Sequence, residues 1–275
     1  MPWVAANTAA LAQPPLVGGG TRLTWLGHAS WLVQVAGTSL LIDPVLGERI
    51  SKIIPRNVAP GLRIEELPRV DGCLVTHNHY DHLDLPSLQR IGAPVWAGKG
   101  TGPLLRGAGL QTYELGWWQS AAVGAVTVHF VPSQHWSRRH LFDANEMLWG
   151  GFVIEADGTS VYHAGDTAYF DGFAEIGRRF PKFAAAMLPI GAYDPAWFME
   201  SQHMNPEQAV QAFLDLDARH FLAMHWGTFK LTDEPLDEPP RRLETEWARL
   251  HLPPSRLHIL PVGATWSSAD VDAAE

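Results

Sequence analysis

The sequence predicts an α/β layered domain, and three observations carry that reading. Short apolar runs of strand character alternate with segments of helical character, as expected when sheets and helices stack around a common core. Self-similarity at a spacing of about 20–50 residues, the signature of solenoids and propellers, is missing. The 275 residues, 46% of them hydrophobic, suffice to bury a sizeable core.

Residues 1–20 are rich in Ala, Pro and Gly and carry no basic residue. They read as a flexible lead-in rather than a secretory signal. Positions 21–43 alternate apolar and polar residues and break at Gly37-Thr38, which predicts a β-hairpin. The stretch 45–60 mixes Ile50, Ile53 and Ile54 with Arg49, Lys52 and Arg56; it fits either an amphipathic loop over a cleft or a plain surface connection. A buried-strand pattern at 72–76 runs directly into His77. Further strands are predicted at 94–97, 126–131, 152–156, 160–163, 184–188 and 221–224. Asn205-Pro206-Glu207 places an N-cap and a first-turn proline ahead of a helix over 208–215. A last helix is predicted over 240–251, and 268–275 resembles a solvated tail. No linker interrupts 21–267, which therefore reads as one domain.

Composition narrows the function. A formal charge of -9 gains nothing from counterion release and weighs against nucleic acid as a partner. It does not weigh against an enzyme, because a metal cluster is itself a concentrated positive charge. The one cysteine, Cys73, cannot form an internal disulfide, and its apolar surroundings favour a small buried strand residue over a nucleophile or ligand. No stretch approaches the roughly 20 apolar residues that cross a bilayer. A cytoplasmic protein is expected, with peripheral contact with a membrane and homodimerisation both left open. Most of the twelve tryptophans read as core, and some as the lining of a cleft.

The chemistry concentrates in Thr76-His77-Asn78-His79-Tyr80-Asp81-His82-Leu83-Asp84, where three imidazoles and a carboxylate fall within six residues. Zinc takes neutral imidazole nitrogen and carboxylate oxygen, so this density suits it. Without a cation, clustered histidines repel one another and lose hydration. Alternation sends His77 and His79 to one side of the loop, and the following turn brings Asp81 and His82 to a second position. Further ligands are available just after strand-like runs, at His135, Asp166 and His225, where α/β proteins assemble sites from distant sequence.

His77-x-His79-x-Asp81-His82 with His135, Asp166 and His225 resembles the metallo-β-lactamase superfamily. The resemblance implies an αβ/βα sandwich of two mixed β-sheets flanked by helices. Asp166 stands where the lactamases of that fold typically use cysteine, so penicillin hydrolysis is not expected. Longer strings resemble the N-acylphosphatidylethanolamine-hydrolysing phospholipases D over most of the chain, from Trp25 to Phe229. They include Trp25-Leu26-Gly27-His28-Ala29, Asp43-Pro44, Pro132-Ser133-Gln134-His135-Trp136, Ala164-Gly165-Asp166-Thr167, Pro189-Ile190-Gly191-Ala192-Tyr193 and His225-Trp226-Gly227-Thr228-Phe229. The chain departs from the animal enzyme in lacking its longer N-terminal extension and in the stretch 45–60.

The resemblance implies a zinc-dependent phosphodiesterase acting on a phospholipid or small phosphodiester. One zinc would be held by His77, His79 and His135, the other by Asp81, His82 and His225, with Asp166 bridging and a shared hydroxide attacking phosphorus. Tyr80 would hydrogen-bond a phosphoryl oxygen and His203 would assist the leaving alkoxide. Arg138 and Arg139 read as a solvated pair or a phosphate clamp. Trp197, Phe198 and Met199 read as an apolar wall or as core. His28 is expected to hydrogen-bond backbone near the site, and His163 to fix a ligand's orientation. A hydrolase of a soluble lactone or phosphate ester is the rival reading; a redox or non-catalytic metal protein fits less well, because all seven ligand positions are filled.

Overall fold

The computed structural model describes residues 1–272. In chain order the strands are β1 (Thr21–Gly27), β2 (Ser30–Val35), β3 (Thr38–Ile42), β4 (Arg49–Ile50), β5 (Ile54–Pro55), β6 (Gly72–Val75), β7 (Val95–Gly98) and β8 (Thr112–Leu115). They continue with β9 (Gln119–Val123), β10 (Val126–Val131), β11 (Gly151–Ala156), β12 (Thr159–His163), β13 (Phe183–Pro189), β14 (His220–Met224), β15 (Leu257–His258) and β16 (Thr265–Ser267). The helices are α1 (Thr8–Leu11), α2 (Leu85–Ile91), α3 (Gly102–Gly107), α4 (Gly172–Arg179), α5 (Ala196–Met199), α6 (Pro206–Leu216), α7 (Glu238–Arg249) and α8 (Ser268–Asp272).

Among the described residues, two seven-stranded sheets form, ordered β16-β1-β2-β3-β6-β7-β8 and β15-β14-β13-β12-β11-β10-β9, with β4 and β5 as a separate ribbon. Both sheets are mixed: β1, β2 and β3 are antiparallel while β3, β6, β7 and β8 are parallel, and the second sheet divides likewise at β12. This is the two-sheet sandwich that the resemblance implies.

Period-two alternation explains the layering. Along β2, Trp31, Val33 and Val35 enter a core shared with Phe130, Phe152 and Ile154 of the second sheet, while Leu32 faces a smaller core with α2 and α3. The outer face of the second sheet is covered by α4, α6 and α7 through Phe173, Ile176, Phe213, Leu243 and Trp247. No helix among the described residues is long and apolar enough to cross a membrane.

The expected strands and helices all form, with bounds shifted by a residue or two. The hairpin that breaks at Gly37-Thr38 forms between β2 and β3, and β1 adds a strand that makes it a three-stranded meander. The chain reverses first at Gly27 and His28, which take left-handed φ values of 104° and 56°. A histidine in that region is uncommon and gives no turn signal in sequence. The lead-in makes contacts with the rest of the chain. Asn7 caps α1 by accepting from Ala10 N at 3.1 Å, Leu11 is buried, Trp3 bridges Val262, and Gly37 N donates to Pro15 O at 2.6 Å. Of the expected tail, 268–272 forms α8, tied down by Thr21 N donating to Ser268 Oγ at 2.9 Å; 273–275 lies outside the described residues.

Candidate metal centre

In the first sheet β1, β3 and β6 run one way, and in the second β10, β12 and β14 share a direction. The segments leaving those strand ends converge. β1 delivers His28, β3 Asp43, and β6 the loop from His77 to Asp84; β10 delivers His135, β12 Asp166 and β14 His225. Local backbone makes the convergence possible. Asp43 and His225 take left-handed φ values of 43° and 61° as their strands end. Gly191 passes so close that a Cβ there would sit 2.3 Å from His225 O, so only glycine fits.

Two quartets result, His77, His79, His135, Asp166 and His28, Asp81, His82, His225, each with one donor atom per residue within 4.8 Å of the others. In the first, His79 Nδ1 stands 2.9 Å from His77 Nε2 and 3.2 Å from His135 Nε2. Asp166 lies between the quartets. Its Oδ2 is 3.8 Å from His77 Nε2, 3.9 Å from His135 Nε2 and 3.2 Å from His82 Nε2, while Oδ1 is 3.1 Å from His225 Nε2. Asp81 Oδ2 is 3.6 Å from both His82 Nε2 and His225 Nε2.

These spacings fit cations. A tetrahedral ion bound at about 2.0–2.1 Å keeps its ligand atoms roughly 3.3 Å apart. One proton cannot satisfy three imidazole nitrogens meeting at a point, and the buried His82 Nε2, His225 Nε2 and Asp166 Oδ1, which face the centre, find no hydrogen-bond partner. Charge agrees. Burial, then the neighbouring histidines, hold His77 well below the usual imidazole range; burial does the same for His135, and both suit neutral ligands. Burial works against charging His82 and His225, yet Asp166 and Asp81 hold His82 well above its ordinary value and lift His225 to about 9. The carboxylates thus call for positive charge at this point, which a divalent ion would supply in place of protons.

The far side of three of these rings is claimed: His77 Nδ1 meets Thr76 Oγ1 at 3.0 Å. His82 Nδ1 bonds Asp43 Oδ2 at 2.7 Å, and His135 Nδ1 bonds Gln202 O at 2.9 Å. Such partners fix tautomer and ring orientation. His28 contacts a side chain, not only backbone: its Nε2 is 3.0 Å from Asp81 Oδ2. His163 orients the turn into Asp166, accepting from Gly165 N at 3.1 Å while its Nε2 meets Ala29 O at 2.9 Å. Sequence reasoning missed His28 and Asp43 as partners of ligands; their positions just after strand ends were the available signal.

A cavity of about 400 Å³ opens over the quartets, lined by His79, Asp81, Asp166, His203 and His225 at its base. Its walls are largely apolar: Ile50, Ile53 and Ile54 from the β4–β5 ribbon, Trp136, Phe198, Met199 and Leu231. The stretch 45–60 is therefore the loop over a cleft. Phe198 and Met199 belong to the wall, whereas Trp197 is exposed outside it. His203 lines the base with Nδ1 4.0 Å from Asp166 Oδ2, and burial pushes it down to about 4.

Tyr80 lines the cavity, and its hydroxyl donates to Arg139 O at 3.2 Å. Arg138 bonds the carbonyls of His140 and Leu141, and Arg139 those of Asn78 and Leu83, so neither offers a phosphate clamp in the cleft.

Residues 38–226 match a family model described as a beta-lactamase superfamily domain. The chain belongs to the β-lactamase superfamily. Within it, the chain is 34% identical to N-acyl-phosphatidylethanolamine-hydrolyzing phospholipase D 1 of Caenorhabditis elegans, over 91% of this chain and 77% of that one. It is 33% identical to a metal-dependent hydrolase of Rubrobacter xylanophilus, over 83% and 92%. Igni18, a metallo hydrolase of Ignicoccus hospitalis, shares the fold with a TM-score of 0.69 at 24% identity, over 90% of this chain and 97% of that one. This β-lactamase superfamily member is a metal-dependent hydrolase.

Proposed function

We propose that the protein is a dinuclear zinc-dependent phosphodiesterase of the phospholipase D type, cleaving N-acylphosphatidylethanolamine or a related glycerophospholipid. The observation that carries this reading is the apolar cleft standing directly over both quartets. Such a shape seats acyl chains against the isoleucines and aromatics while a polar ester group reaches the base. The nematode relative named for that lipid supports it.

His77, His79 and His135 would hold one ion and Asp81, His82 and His225 the other, with Asp166 shared between them. Imidazole-rich sets with carboxylate suit zinc. When bound, two such ions supply the Lewis-acid charge and the activated water that phosphodiester hydrolysis requires. The chain's own residues do the rest. Asp43, His28 and Gln202 O hold the ligands in register. His203, aimed into the cleft beside Asp166, hydrogen-bonds the departing alkoxide. Tyr80 shapes the wall.

The test is zinc-replete protein on phospholipid vesicles, with products identified by mass. Release of N-acylethanolamine and phosphatidic acid is expected. Silence on every phospholipid, together with turnover of a soluble lactone or phosphate ester, would replace this reading with the soluble-ester one. Elemental analysis returning iron in place of about two zinc ions per chain would refute the metal assignment.

A further inference from the structure

The guanidinium of Arg139 reaches back to the metal loop. Its Nη1 donates to Asn78 O and to Leu83 O, both at 2.9 Å. These two carbonyls bracket His79, Asp81 and His82. The guanidinium carbon lies 4.0 Å from the centre of the Tyr80 ring, within cation–π range, and Tyr80 returns the contact by donating to Arg139 O. The backbone of Arg139 is pinned in turn. Asp143 Oδ1 accepts from the N–H groups of Arg139 and His140 at 2.9 and 2.7 Å.

Connectivity gives these contacts meaning. Arg139 follows His135 by four residues on the loop leaving β10, in the second sheet, while the loop it grips leaves β6, in the first. The first quartet takes His77 and His79 from one loop and His135 from the other, with His79 Nδ1 and His135 Nε2 3.2 Å apart. Packing of the two sheets sets that separation only to within the play of two loops. The planar guanidinium, held to two carbonyls and stacked on a ring, removes the play.

We infer that Arg139 is a positioning residue which ties the loop after β10 to the loop after β6 and so sets the affinity of the first quartet for its metal ion. The inference rests on the ligand assignment proposed above. It concerns metal binding and so can be read without any substrate.

The experiment is competition for zinc between the full chain and a chromophoric chelator, with wild type, Arg139→Met, Arg139→Lys and Arg138→Met. In Arg139→Met one of the two zinc ions should bind about 10–100-fold more weakly, as for loss of other groups that orient ligands. The other ion and the far-UV circular dichroism should stay as in wild type. Arg139→Lys keeps the charge without the planar face that stacks on Tyr80 and should recover only part of the affinity. Arg138→Met should match wild type. The visible spectrum of the cobalt-loaded protein should change in Arg139→Met, reporting altered ligand geometry. Two zinc ions held at wild-type affinity by a folded Arg139→Met protein overturn the inference and leave the metal centre standing. Equal weakening of both ions, with a lower melting temperature of the metal-free protein, marks a general structural role and also overturns it. Should Arg139→Met not fold, unchanged affinity for both ions in Arg139→Lys overturns it and selective loss of one supports it. A wild-type chain that binds no zinc overturns the ligand assignment and the inference together.

Discussion

Asp43 is buried among polar atoms and accepts from Thr76 N at 2.8 Å, Thr76 Oγ1 at 2.6 Å and His82 Nδ1 at 2.7 Å. With one nitrogen of His82 committed there, Nε2 is the one that faces Asp166 and would meet a metal ion. Asp43→Asn, nearly the same shape without the charge, should weaken metal binding by about 10–100-fold while the fold persists; chelator competition reads this, and unchanged affinity would remove Asp43 from the account. Cys73 belongs to the opposite case. It is fully buried in β6, and burial pushes its thiol up to about 12. The thiolate is the reactive form, so the native protein should resist a thiol-specific chromogenic reagent and react at one site per chain only after unfolding. Much was legible at this scale. The donors His77, His79, Asp81, His82, His135, Asp166 and His225 could be read from residue type and from their position after strands. The tie of Arg139 to Tyr80 and to the metal loop could not, because an arginine's acceptors here are carbonyls, which every residue possesses and no sequence marks.

The β4–β5 ribbon illustrates what an element adds. Its turn places Ser51 and Lys52 at left-handed φ values of 50° and 63°, turning Ile50 inward against Val45 and Phe229 and leaving Ile53 75% exposed at the cleft. Ile53→Ser should leave stability within about 0.5 kcal/mol, as an exposed substitution does. It should nonetheless raise KM for a long-chain phospholipid several-fold without changing turnover of a short soluble diester; equal kinetics on both substrates would detach the ribbon from acyl recognition. By contrast, α6 was readable in advance. Asn205 accepts from Gln208 N at 2.9 Å, and Gln208 returns the bond to Asn205 N at 3.0 Å. Asn205→Ala should cost about 1 kcal/mol in urea unfolding. Capping is local chemistry and survives without tertiary context. The ribbon's direction does not, since nothing in its own residues says which side of the chain the metal loop lies on.

Across the whole molecule the two main cores lie chiefly between the sheets and under α2 and α3, and the metal loop joins the second of them through Leu83. Apolar side chains from both sheets fill the shared core, and a second core lies between the first sheet and α2 and α3, so most of the buried apolar surface comes from residues other than the ligands. Stripping metal with a chelator should abolish hydrolysis and lower the melting temperature by the linkage between binding and folding, while far-UV circular dichroism is retained; zinc should restore both. Loss of sheet signal on chelation would show that the centre, not the cores, holds the sandwich together. From its order of residues alone this chain determined the layered class, most strands, the capped helix and the chemical kind of every proposed ligand, because periodicity and donor type are local properties. The tertiary structure alone decided that each quartet draws donors from both sheets, that His28 and Asp43 face the ligands, and that an apolar cleft covers them. Those are matters of a few tenths of an ångström between distant segments, and only the packing of one sheet on the other sets such distances.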